Sequence, residues 1–155
     1  SINNQPEISE DGGLCDDFSS LISPNLWNEF VIPYWERYYN GICRGERSAH
    51  IENLTPEHLK FLEKVGIRFY DPSVSPKLTP KIIRERIKIP FSWRLPSFQF
   101  VNMSKVEIRE WVIKSFEEGA PHIHTVIEQI MCEGENPEKV KVFIKTAEGI
   151  YNKGK

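Results

Sequence analysis

The stretch Gly66-Ile67-Arg68-Phe69-Tyr70-Asp71, then Leu78-Thr79-Pro80-Lys81-Ile82-Ile83-Arg84-Glu85-Arg86-Ile87, then Ile89-Pro90-Phe91-Ser92-Trp93-Arg94 carries one full structural repeat. The outer pieces are short, rich in aromatic and β-branched residues, and too brief for stable helices, so they read as strands. Between them Thr79 is placed to cap a helix, and Pro80 follows at the first helical position, where its missing N–H has no partner to lose. Ile82, Ile83 and Ile87 then fall on one helical face. A strand, a helix and a strand in so few residues describe a crossover between parallel strands.

The same punctuation recurs outward in both directions. Ser23-Pro24, Thr55-Pro56, the capping box Ser104-x-x-Glu107 and Asn136-Pro137 each open an apolar stripe of helical spacing. The longest stripe runs from Leu26 and Trp27 through Tyr38, Tyr39 and Ile42, and Pro33 is expected to bend that helix. Gly41, Gly66 and Gly119 end three stripes, as left-handed C-caps do. Extended candidates precede the helices at 13–18, 47–52, 67–70, 89–94 and 122–128, and none is joined to the next by an Asn-Gly or Asp-Gly hairpin. Helix starts at 24, 56, 80, 105 and 137 give a mean spacing of about 28 residues. Eight such units would fill roughly 226 residues, near the roughly 250 of a (β/α)8 barrel.

The chain has 155 residues and therefore holds about five units, read as one domain over 1–155. Two α/β architectures accommodate them: an open doubly wound sheet, or the C-terminal portion of a TIM (β/α)8 barrel. Neither G-x-G-x-x-G nor G-x-x-x-x-G-K occurs, which removes the commonest nucleotide reading of an open sheet. Polar residues at the strand ends favour the barrel. With 20 Lys+Arg against 22 Asp+Glu, the net charge of −2 argues against nucleic acid or an anionic membrane as partner. No apolar run reaches transmembrane length and no secretory signal is visible. Cys15, Cys43 and Cys132 are few and lack metal spacing, which suits a reducing, cytoplasmic setting.

In parallel α/β folds ligands meet the carboxyl ends of strands. Those ends offer Asp16 and Asp17, His50 and Glu52, Tyr70 and Asp71, Arg94, and His124 and Glu128. His50 and Glu52 are two apart and so share a strand face, where they could ligate a divalent metal or pair as base and orienting carboxylate. His122 and His124 repeat that geometry, although His122 directly follows Pro121 near the strand start and reads as structural. Asp16-Asp17 reads either as an acid/base pair or as a loop cap. Arg94 beside Trp93 suits a carboxylate- or phosphate-bearing ligand, and equally a surface ion pair. Tyr34, Trp35, Tyr38 and Tyr39 are spaced for helix packing rather than for a cofactor wall, and Cys132 has no second Cys nearby. The site expected from these ends comprises Asp17, His50, Tyr70 and Arg94 as catalytic or positioning groups, with His50, Glu52 and His124 as metal ligands.

The run Asp16-Asp17-Phe18-Ser19-Ser20-Leu21-Ile22-Ser23-Pro24-Asn25-Leu26-Trp27-Asn28-Glu29-Phe30-Val31-Ile32-Pro33-Tyr34 resembles a segment of the uroporphyrinogen decarboxylase superfamily, "L-S-P-x-x-F/W-x-E-F-x-x-P-Y" after an acidic strand end. The resemblance continues through Ala49-His50-Ile51-Glu52, where members carry "H-x-C-G". It extends to Glu118-Gly119 and to Gly134-Glu135-Asn136-Pro137-Glu138-Lys139-Val140, similar to "G-T-P-x-E-N-V". It spans nearly the whole chain and corresponds to the C-terminal half of that fold.

The resemblance implies a (β/α)8 barrel with its site at the carboxyl-terminal face. It also implies one of two activities on a small-molecule substrate. The first is methyl transfer involving a thiol activated at zinc or another divalent metal and a corrinoid on a partner protein; the second is tetrapyrrole decarboxylation, a lyase reaction. In the methyl-transfer branch the zinc ligands fall on His50, on Glu52 in place of Cys, and near Gln129 in place of a later Cys. In the decarboxylase branch the late His also falls near Gln129. Glu is a harder ligand than thiolate, and Gln is neither acid nor base. A half-barrel implies pairing with an N-terminal half-barrel or a homo-oligomer, and a third expectation is a non-catalytic half-barrel that acts by such association.

Overall fold

The computed structural model describes residues 9–153. Five strands and seven helices alternate: β1 (Gly12–Cys15), α1 (Trp27–Phe30), α2 (Ile32–Ile42), β2 (Arg47–His50), α3 (Lys60–Val65), β3 (Ile67–Asp71), α4 (Pro80–Arg86), β4 (Ser92–Arg94), α5 (Ser97–Phe100), α6 (Lys105–Glu117), β5 (His122–His124) and α7 (Asn136–Lys153). All named strand pairs are parallel. β1, β2 and β3 form one ladder, β4 and β5 another, and a parallel bridge between Tyr70 and Phe91 joins the two. The described strands thus lie side by side in chain order, with none of the order reversal that defines a doubly wound sheet. Right-handed crossovers running in one direction put every helix on the same face of such a sheet.

Two helix starts form as the sequence chemistry dictates, whereas Ser23-Pro24 opens only a 3-10 turn over Pro24–Leu26 without a side-chain cap, and the helix expected from Thr55-Pro56 begins later, at Lys60. Thr79 Oγ1 accepts from the Ile82 N–H at 3.2 Å. Ser104 and Glu107 complete a reciprocal capping box, with bonds of 3.3 and 2.7 Å. Gly66 and Gly119 take φ of +79° and +93° at helix ends. Gly41 does not end its helix, which continues to Ile42. The long helix expected to bend at Pro33 is instead interrupted two residues earlier. Val31, at φ −123° and ψ −57°, separates α1 from α2, so Pro33 sits in a first turn where its lost donor leaves no gap in the ladder.

Four of the five extended candidates are trimmed to three or four residues by local turns, while the candidate at 67–70 gains Asp71. After Cys15, Asp16 Oδ1 accepts the amides of Phe18 and Ser19 at 3.1 and 3.0 Å and ends the strand. One side of the sheet carries Ala49, Ile67, Tyr70 and Phe91 into the core, with Leu14, Trp93 and Ile123 partly buried against it. That core also contains Trp27, Trp35, Tyr39, Phe61 and Leu62 from the helices. A second core, of Leu95, Phe100, Ile108, Val112, Met131 and Phe143, lies under α5, α6 and α7. Trp27 is fully buried: its indole donates to Ser19 and Ile22 carbonyls at 3.1 Å each, and its ring packs edge-on against Trp35 at 5.1 Å. This anchors the loop after β1.

Candidate functional site at the carboxyl ends of the strands

Register decides which side chains meet. Cys15 is the partner of His50, and His50 is the partner of Asp71, so three strand-terminal residues form a row across β1, β2 and β3. Arg94 and His124 make the equivalent pair across β4 and β5. The residues before them (Leu14, Ala49, Tyr70, Trp93 and Ile123) all belong to the core side. Alternation therefore turns the whole terminal row to the opposite face. There Gly13, Cys15, Ser48, His50, Phe69 and Asp71 line a shallow depression of about 340 Å³.

Within it the polar groups are tied into chains. His50 Nδ1 lies 2.9 Å from Asp71 Oδ2, and Asp71 Oδ1 accepts the Ser73 N–H at 2.8 Å. A carboxylate can only accept, so Nδ1 is the donor, and in the neutral imidazole Nε2 carries the lone pair. The Ser73 hydroxyl donates to Glu52 Oε1 at 2.6 Å and accepts from Arg94 Nη1 at 2.8 Å. Arg94 forms no ion pair among the described residues, and its Nε is buried without a partner. Ser73 holds φ +42° and is buried, a conformation that costs a non-glycine residue roughly 1–2 kcal/mol and is retained here by three hydrogen bonds. Ser92 Oγ lies 2.6 Å from His124 Nδ1. Burial pulls the His124 imidazole below its ordinary pKa, with Asp71 opposing and Arg94 and His50 adding to the shift. Desolvation, then Asp17, Asp16, Glu52 and Asp71, pushes the Cys15 thiol upward.

The two adjacent aspartates divide their work. Asp16 is a loop anchor, its second oxygen taking the Trp35 indole N–H at 2.9 Å. Asp17 reaches over β2, where its Oδ1 accepts the Glu52 N–H at 3.2 Å. Sγ of Cys15, a carboxylate oxygen of Asp17 and a ring nitrogen of His50 lie within 4.8 Å of one another, the one such group of three among the described residues.

Of the expected site residues, Asp17, His50 and Arg94 stand at this end of the sheet. Tyr70 does not: it is fully buried on the core side and its hydroxyl donates to the Ile51 carbonyl at 3.1 Å. The cause is a bulge opposite Arg47 and Ser48, which inserts Arg68 and inverts the alternation beyond it, so that Asp71 occupies the place expected of Tyr70. The ligand set His50, Glu52 and His124 is not brought together. Glu52 lies past the end of β2 with its carboxylate on Ser73, and His124 stands three strands from His50 with its Nδ1 on Ser92. Cys15 is the functional candidate that sequence reading passed over. The signal was present, since Cys15-x-Asp17 repeats at the end of β1 the spacing of His50-x-Glu52 at the end of β2. A second cavity, of about 280 Å³, opens beside Gly66, Ile67 and Arg68 at the amino end of β3, where it meets none of these groups.

No protein-family model and no curated protein matches the chain. Among solved structures it is similar to a methyltransferase from Methanosarcina mazei, with a TM-score of 0.68 at 14% sequence identity. The match covers 92% of this chain and 42% of the methyltransferase, so the chain spans less than half the length of that structure. The likeness is one of fold.

Proposed function

We propose that this chain is the C-terminal portion of a (β/α)8 barrel of the uroporphyrinogen decarboxylase type, and that the face bearing His50 serves methyl transfer between a corrinoid held by a partner protein and a thiol. The observation that carries this reading is the row Cys15, His50 and Asp71 at the carboxyl ends of strands that run parallel in chain order. That is where barrel enzymes place their chemistry. The fold likeness to less than half of a methyltransferase supports the same reading, and the resemblance at Asp16–Tyr34 points the same way.

In this scheme Asp71 fixes the tautomer and orientation of His50, and Arg94, fixed by Ser73, supplies a positive charge for an anionic substrate group. Asp17 frames the opposite rim. Methyl transfer is preferred to decarboxylation because His50 keeps its position, whereas the late acid–base His is replaced by Gln129. The zinc ligands implied by the resemblance do not fit as a set. Glu52 is engaged by Ser73 and Gln129 carries only an amide, so no step is assigned to a metal held there. The rest of the barrel is, in this reading, the N-terminal half-barrel that the resemblance implies, and the similar methyltransferase is covered over only 42% of its length.

The test is decay of methylcob(III)alamin absorbance in the presence of a small thiol and the protein joined to its complementary barrel half. Decay faster than with thiol alone, lost in His50→Ala, supports the proposal. Equal decay with wild type and His50→Ala overturns it.

A further inference from the structure

We infer that Cys15 Sγ, the free carboxylate oxygen of Asp17 and Nε2 of His50 form a three-ligand site for a thiophilic divalent cation such as Zn²⁺. The ligand set is distinct from the His50–Glu52 pair that the resemblance implies.

Three features of the geometry lead there. First, three different metal-ligating groups converge within 4.8 Å from two adjacent strands. A tetrahedral ion bound to S at about 2.3 Å and to N or O at about 2.0–2.2 Å separates its ligands by about 3.5 Å, inside the 4.8 Å spread of these groups. Second, each of the two harder ligands has one atom tied down and the other left over. His50 Nδ1 is held by Asp71, and Asp17 Oδ1 by the Glu52 amide. A carboxylate–histidine pair of this kind orients an imidazole towards a metal and raises its basicity. Third, the thiol of Cys15 is free and exposed, and a bound cation would hold its sulfur as thiolate.

Sulfur, nitrogen and oxygen as donors select Zn²⁺ or Co²⁺ over Mg²⁺ or Ca²⁺. Three protein ligands leave a fourth position open towards the depression, the pattern of a catalytic rather than a structural centre. The inference deepens the proposed function, on which its catalytic role rests, while cation binding itself stands on the geometry alone.

Co²⁺ titration reads the site without the remaining strands or any methyl donor. Expected is a thiolate-to-cobalt charge-transfer band that saturates at one equivalent and is displaced by Zn²⁺. The band persists in Cys132→Ser and is absent in Cys15→Ser. Asp71→Ala keeps the band but weakens cobalt affinity by about 10–100-fold, as removal of an outer-shell carboxylate does. No band in the wild type, a band retained in Cys15→Ser, or affinity unchanged in His50→Ala overturns the inference. Folding of each variant is checked by circular dichroism. Saturating cobalt binding without methyl transfer sustains the cation site and counts against the proposed function, and turnover without the band does the reverse.

Discussion

His50 and Asp71 are register partners on adjacent parallel strands, and the 2.9 Å bond between Nδ1 and Oδ2 ties the chemistry of β2 directly to that of β3. Replacing Asp71 with Asn should leave the packing intact and remove the charge that holds the imidazole. Methyl transfer is expected to fall about 10–100-fold while the melting temperature changes little. Nitrogen-15 spectra of His50 should lose the single tautomer, and an unaltered tautomer would contradict the orienting role.

Ser73 offers a way to separate strain from function. Ser73→Gly and Ser73→Ala both remove the hydroxyl that joins Arg94 to Glu52. Only glycine adopts φ near +42° without penalty. Glycine should therefore be the more stable replacement by about 1 kcal/mol, while both lose activity alike. Urea denaturation and turnover of the two variants check this, and equal stability would remove the argument from backbone strain.

His58 predicts a pH dependence of folding. It is buried, its Nε2 donates to the Ile22 carbonyl and its Nδ1 accepts from the Thr55 amide, both at 3.0 Å. Burial depresses its pKa, only partly offset by the Ile22 carbonyl and Glu57. A depressed histidine gives the unfolded chain the greater proton affinity, so its contribution to stability is intact above about pH 6.5 and is lost as pH falls from there through the folded value. The slope of stability with pH between 6.5 and 5 should flatten in His58→Gln.

Trp27 anchors the loop that carries Asp16 and Asp17. Trp27→Ala should cost about 3–5 kcal/mol, since it empties a fully buried site and strips a shared donor from two carbonyls. The expected sign of that anchoring is a larger fractional loss of cobalt affinity than follows from Phe143→Ala in the second core.

Phe69 stands on the depression side of the sheet and is 38% exposed, although its strand lies between β2 and the segment bridged at Phe91. If an N-terminal half-barrel covers that face, Phe69→Asp should weaken its binding without destabilising the isolated chain, measurable by calorimetry with the separately produced half. Analytical ultracentrifugation of the chain alone distinguishes self-association, and a monomer that ignores the added half would overturn the barrel reading.

What the sequence disclosed was local. Thr79 before Pro80, the Ser104–Glu107 box and the glycines at 66 and 119 act within a few residues, so their outcomes could be read directly. Facing was harder, because strand parity depends on counting. A single inserted residue, Arg68, exchanged the roles of Tyr70 and Asp71. Cys15 and His50 stand 35 positions apart and meet only through ladder register, a non-local property that alternation within either strand does not encode. Glu52 was read as though its strand continued, whereas the chain had already left the sheet at His50.

The two apolar centres share Ile123 among their flanking residues, and between β3 and β4 the backbone is stitched by the Tyr70–Phe91 bridge. Such a seam divides the molecule into halves able to open separately. Amide exchange should then resolve two cooperative units, β1 to α4 and β4 to α7. Arg94 and His124 would ride on one and His50 on the other, making the working face itself the hinge line.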